Sequence, residues 1–134
     1  MADGRTGRAL DVVRIVVALL IFIHGASRLA FGGVAPFGEW LGTQGFPVGI
    51  AFAWAVTIYE LIAPVLIILR RFVFWACLGH IGILALGAVM VHLPAGWFVV
   101  GLGRNGVEYS VLLIACLAAV AYAHAPFGKR VSSL

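Results

Sequence analysis

The chain has 134 residues, 63% of them hydrophobic and 10% charged, with a mean hydropathy of +1.12, which is too apolar to cover itself with polar surface in water. An integral membrane protein accounts for that composition: at roughly 20 apolar residues per span, the length accommodates about four spans in one compact domain, with no separate soluble domain. The net charge of +4 lies in short basic groups at the ends of apolar runs, where cations orient helices and meet lipid headgroups, so nucleic acid is excluded as a partner and membrane lipid is expected.

Residues 1–13 read as a polar, mobile start carrying Asp3, Arg5, Arg8 and Asp11. The first span is predicted over residues 12–31. A basic start before an apolar run, with Gly25-Ala26-Ser27 behind it, also resembles a signal peptide. The later segments, however, need this run as the first member of a multi-span pattern. Residues 32–46 form an outer loop punctuated by glycine, proline and glutamine. Phe37, Trp40 and Phe46 give it interfacial character, and its length leaves room for a short amphipathic turn on the membrane surface.

The second span covers residues 47–69, with Pro47 in its first turn and Glu60 inside it. Pro64 has no N–H to give the Glu60 carbonyl, so a bend is expected there. Arg70 and Arg71 close the segment. The third span, residues 72–93, contains His80 and ends at His92; its alanines and glycines would let a neighbouring helix approach closely. Residues 94–105 form a second outer loop with Trp97. The fourth span, residues 106–124, opens on Glu108 and Tyr109 and is ended by Pro126 and Gly128.

Four spans put Arg5, Arg8, Arg14, Arg70, Arg71, Lys129 and Arg130 on one side, whereas the two opposite loops carry only Arg104 as a cation. By the positive-inside rule both termini and the Arg70-Arg71 turn are cytoplasmic. The predicted fold is therefore all-α: a polytopic, antiparallel bundle of four transmembrane helices. Cys77 and Cys116 lie inside apolar runs without a CxxC pair, and read as packed hydrophobes rather than redox or metal-binding thiols.

The polar residues inside the spans are the candidates for function, because ionisable groups at membrane depth must face a protein interior or a wet cavity. His24 and Arg28, four residues apart, share a helix face. At about 1.5 Å per residue, His24, Glu60 and His80 fall near mid-membrane, and Arg28, His92, Asn105 and Glu108 near the outer boundary. The candidate ligand-binding core is His24, Arg28, Glu60, His92, Asn105 and Glu108. Glu60 reads equally well as a structural lock bonded to His24 or to a neighbouring backbone group. His92 and Glu108 read as ordinary helix-end polarity, and His80 as a satisfied interior histidine. His124 and Tyr122 look interfacial. No tight spacing motif among His24, Glu60, His80 and His92 supports a metal, and none is expected.

In order and spacing, the chain resembles the DoxX family of small four-helix membrane proteins. The resemblance rests on Arg14, His24-Gly25 and Arg28; on Gly45-Phe46-Pro47; on Tyr59-Glu60-Leu61; on Arg70-Arg71 and Val91-His92; and on Asn105-Gly106-Val107-Glu108-Tyr109. It extends over about residues 12–125. Two departures stand out: Arg28 occupies a position that is often lysine in the family, and the family's frequent Gly-rich Ser-Leu-Asp tail is absent. The resemblance implies a multi-pass protein of a bacterial-type inner membrane with a link to redox systems, some relatives being subunits of a thiosulfate:quinone oxidoreductase.

The leading expectation is a non-catalytic accessory subunit of a membrane redox system. It would have an intrabundle pocket for a quinone, with His24, Arg28 or Glu60 bonding the head carbonyls, and no cofactor of its own. A redox protein partner would then be required, and an oligomer is compatible. The alternatives are a small-solute or proton carrier, against which stands the lack of an evident repeat between halves, and a structural or assembly subunit whose polar core sets helix register.

Overall fold

The computed structural model describes residues 4–100 and 104–127; Asp3, Gly128, Lys129 and Arg130 lie outside them. The described residues contain five α-helices and no strand. These are α1 (Gly4–Ala30), α2 (Val34–Thr43), α3 (Gly49–Ile68), α4 (Val73–Gly87) and α5 (Glu108–Ala123). α4 runs on into a π-helical turn, Ala88–His92, closed by the Leu93 amide on the Ala88 carbonyl at 2.7 Å.

Three of these helices are long and apolar enough to cross a membrane: α1, α3, and α4 together with its π turn. α5, with 16 residues, spans about 24 Å against a hydrocarbon core of about 30 Å. α1 packs on α3, α3 on α4, α4 on α5, and α5 back on α1, so these four helices close a ring, and α2 lies against α3. The ring is filled by small and aliphatic side chains, among them Val17, Ala18 and Ile21 of α1, Ala63 and Ile67 of α3, Cys77 of α4, and Leu113 and Leu117 of α5. Large apolar residues stay exposed along the other faces, such as Leu19 and Ile23, Ile58 and Ile62, Leu78 and Leu86, and Leu112. That pattern fits contact with lipid, which solvates aliphatic surface without cost.

Three local features differ from the sequence reading. The polar start is helical from Gly4, not mobile, because its charges find partners within the fold. Asp11 Oδ1 accepts from Arg14 Nε and Nη2, and Asp11 Oδ2 accepts from Arg70 Nη2 at 2.5 Å. Arg14, read as a flanking cation, is 3% exposed and donates through Nη1 to the carbonyls of Ile67 and Ile68, at 2.6 and 2.9 Å. Both lie in the last turn of α3, where carbonyls outnumber the amides that can reach them; the Ile67 oxygen also accepts from the Arg70 amide at 3.2 Å, and Arg14 caps α3 from the neighbouring helix. Finally, most of the 32–46 loop is a ten-residue helix, α2. It buries Val34 and Leu41 against Ala53 of α3, with Phe37, Trp40 and Phe46 packed around them. A side chain at Gly38 would run into the backbone of Ile50, so this crossing requires glycine. Through Pro64, which is buried, α3 continues as one helix from Gly49 to Ile68.

Candidate functional site

The centre of the polar interior is an ion pair between α1 and α3. Arg28 Nη1 donates to Glu60 Oε2 at 2.6 Å and to Thr57 Oγ1 at 3.2 Å. The two charged side chains are 14% and 7% exposed. Thr57 is held in turn by its hydroxyl, which donates to the Ala53 carbonyl at 2.7 Å. Gly25 makes the meeting possible: a Cβ there would stand 2.8 Å from the Glu60 Cβ, so only glycine lets α1 come this close to α3. The guanidinium also lies over the Phe37 ring of α2, 4.7 Å from its centroid, which adds a cation–π contact on its open side. Depth counting set Arg28 beside His92, Asn105 and Glu108. The arginine instead reaches back to Glu60, because a flexible side chain with a buried carboxylate in range gains more by pairing than by snorkelling outward.

Two cavities adjoin the pair. The first, about 250 Å³, lies among α1, α2, α3 and α4; its walls include Phe37, Trp40, Phe46 and Phe52, with Leu86, Met90 and Val91. The second, about 280 Å³, lies among α1, α4 and α5, and is the more polar, lined by His80, Asn105 and Tyr109 with Leu20, Ile21 and Leu113. His24, Glu60, Leu84, His92 and Ser110 border both, so the two spaces meet at a common wall.

Of the six candidate residues, Arg28 and Glu60 bond each other directly, and His24 and His92 share the cavities with them. His24 is accessible and has no hydrogen bond to any described residue. His92 is held by its Nδ1 against the Asn105 carbonyl at 2.8 Å. Asn105 itself adopts a left-handed backbone with φ 55°, which asparagine tolerates better than most residues. Glu108 lines neither cavity; its Oε1 accepts from the Val99 amide at 2.8 Å and pins the loop back onto the start of α5.

His80 is the residue the sequence reading undervalued. It is 1% exposed, its ring packs edge-on against Tyr59 with centroids 4.8 Å apart, and its Nε2 has no hydrogen-bond partner. Periodicity also conceals why His80 and His92 face one space. In an unbroken α-helix, twelve residues leave them about 120° apart; the wider π turn winds less per residue and brings His92 round toward the second cavity. The aromatic wall was missed because it comes from α2 folding onto α3, a contact between elements that leaves no local signal. Among the described residues, no group of three or more His, Cys, Asp or Glu side chains is arranged to hold a metal ion.

The order of these features along the chain matches a known family: the DoxX family model matches residues 9–93. The chain belongs to the DoxX family. The match takes in α1 to α4 and the π turn, and with them Arg14, His24, Arg28, Glu60, His80 and His92. Asn105, Glu108 and the rest of α5 fall beyond it, although Asn105, Tyr109, Ser110 and Leu113 form one side of the second cavity in this DoxX protein. No curated protein and no solved structure matches the chain. Family membership and three membrane-length apolar helices make this DoxX chain an integral membrane protein.

Proposed function

We propose that this DoxX protein is a four-span protein of a bacterial-type inner membrane whose polar chamber binds a quinone, serving as a non-catalytic subunit beside a redox partner. The observation that carries the reading is a neutral Arg28–Glu60 pair set beside an aromatic-walled cavity, with an accessible His24 on its border. Arg28 is the one permanent cation lining either cavity among the described residues, and Glu60 neutralises it, so the chamber favours an uncharged ligand over an anion. For the same reason, a carrier of small anions is the weaker reading.

The residues present fit a quinone. Phe37, Trp40, Phe46 and Phe52 offer aromatic faces for a ring, Leu86, Met90 and Val91 offer apolar surface for a tail, and His24 offers an N–H for a carbonyl oxygen. A quinone when bound supplies reversible two-electron chemistry. This chain's own part is to desolvate the ring, orient it by hydrogen bonding, and keep the pair from adding net charge. Electrons have to come from a partner, since the chain has no recognisable redox centre.

The four-span topology with cytoplasmic termini is supported by α5 closing the helix ring and by the charges. Arg5, Arg8, Arg70 and Arg71 belong to one end of the bundle, and Arg104 to the opposite loop.

The direct test is quinone occupancy after mild extraction, and electron transfer with the native partner. His24→Ala breaks no protein hydrogen bond and should lower occupancy several-fold in folded protein. Glu60→Gln, checked for folding, should lower it too. Unchanged occupancy and unchanged electron transfer in both variants would mean that the pair only sets helix register, the structural reading that Gly25 and the Arg28–Glu60 contact independently favour.

A further inference from the structure

The second cavity holds a group that the reading above does not use. His80 Nε2 is buried without a partner, and buried polar atoms in folded proteins are rarely left so. Tyr59 of α3 packs edge-on against its ring, and the Tyr59 hydroxyl donates to the Ala76 carbonyl at 2.9 Å and makes no bond with Nε2. The other side chains bordering the space are Leu20, Ile21 and Leu113, which have nothing to offer a ring nitrogen, and polar groups that form no hydrogen bond with it. The cavity shares a wall with the aromatic one, formed in part by His24, Glu60 and Ser110.

We propose that His80 Nε2 is the hydrogen-bonding anchor for the polar end of the chamber's ligand, with the ligand's ring or chain lying in the aromatic cavity. The ligand class follows from the two halves: an uncharged amphipathic molecule whose apolar body faces Phe37, Trp40 and Phe46 and whose head carries a carbonyl or hydroxyl for His80. His80 is thus a positioning residue that selects head chemistry, while the aromatic wall accepts any body of suitable width. The inference rests on the proposed function for the body of the ligand and adds what reads its head.

The test uses the full chain in lipid nanodiscs, with empty nanodiscs subtracted, and two probes of matched shape, decylbenzoquinone and decylbenzene. Only the first has carbonyls to bond. Glutamine carries its amide nitrogen near the position of Nε2, whereas asparagine carries it near Nδ1. His80→Asn should therefore weaken decylbenzoquinone roughly tenfold, the loss of one good hydrogen bond. His80→Gln should stay within about threefold of wild type, and both variants should hold decylbenzene as the wild type does. Equal quinone affinity in wild type and His80→Asn overturns the anchor and leaves water alone as the partner of Nε2. Equal losses of both probes in both variants overturn it as well, since His80 would then only support the cavity wall. A wild type that takes up neither probe refutes the proposed function itself, an outcome distinct from the other two.

Discussion

Arg28 and Glu60 illustrate how a residue that is costly alone becomes tolerable in company. Each charge buried singly in a low-dielectric interior is strongly destabilising; at 2.6 Å they form one neutral unit, further satisfied by Thr57 and Phe37. The pair should show the energetics of its kind. Glu60→Leu leaves a guanidinium uncompensated and is expected to cost about 3–5 kcal/mol, whereas the double variant Arg28→Leu/Glu60→Leu removes both charges and should lose much less. Thermal unfolding in detergent of wild type, both single variants and the double variant closes the cycle. A double variant less stable than either single one would contradict this account. At this scale the sequence was partly informative. His24 stands out in apolar surroundings but is exposed; Arg28 and Glu60 stand out equally, and their need for a protein partner was legible. That Arg28 takes Glu60, and not His92 or Asn105, was not, because the choice depends on how α1 and α3 are rotated about Gly25.

At the scale of elements, helix ends are secured by residues far away in sequence. Arg14 bonds carbonyls 53 and 54 residues further along, and Asp11 holds that guanidinium in place while also pairing with Arg70. Arg14→Leu should therefore fray the end of α3. The measurement is hydrogen exchange at the Arg70 and Arg71 amides, which bond to Ile67 and Leu66 at 3.2 and 2.8 Å. Loss of a charge-assisted bond worth about 1.5–3 kcal/mol should speed their exchange by an order of magnitude or more, with Arg14→Lys restoring only part of the protection because it lacks the fork that joins carboxylate to carbonyls. Exchange unchanged in Arg14→Leu would remove the capping role. The predicted spans 47–69 and 72–93 enclose α3 and α4 with its π turn to within two residues at each end, since apolar runs bounded by Pro, Gly and Arg are local signals, whereas α1 begins at Gly4, ahead of the span predicted from residue 12. α2 was anticipated only as a short turn. With Gly38, Gly42 and Pro36 inside ten residues, its helicity owes more to packing on α3 than to propensity.

For the whole molecule, the topology proposed here makes a prediction about sidedness. With Cys116 replaced by serine, single cysteines at Arg70 and Arg104 are exposed reporters at opposite ends of the bundle. In intact cells an impermeant maleimide should label Arg104→Cys, and label Arg70→Cys only after permeabilisation. Labelling of both from outside would reject an even number of spans with cytoplasmic ends. Cys77 is fully buried and should stay silent throughout.

Sequence by itself determined that this is a helical, lipid-facing chain, where α3 and α4 run, and that Arg28 and Glu60 are charges set beside or within apolar runs. Each of these is a sum of local quantities: hydropathy over a window, breakers at its edges, single charges within it. Only the tertiary structure decided that Arg28 neutralises Glu60, that Arg14 caps α3, that α2 supplies an aromatic wall, and that His80 and His92 face one cavity. Those outcomes depend on the rotation and mutual approach of helices, set by a missing Cβ at Gly25, a close crossing at Gly38 and one π turn at Ala88–His92. No window along the chain contains both partners of such a contact, which is why these pairings could not be read from the sequence.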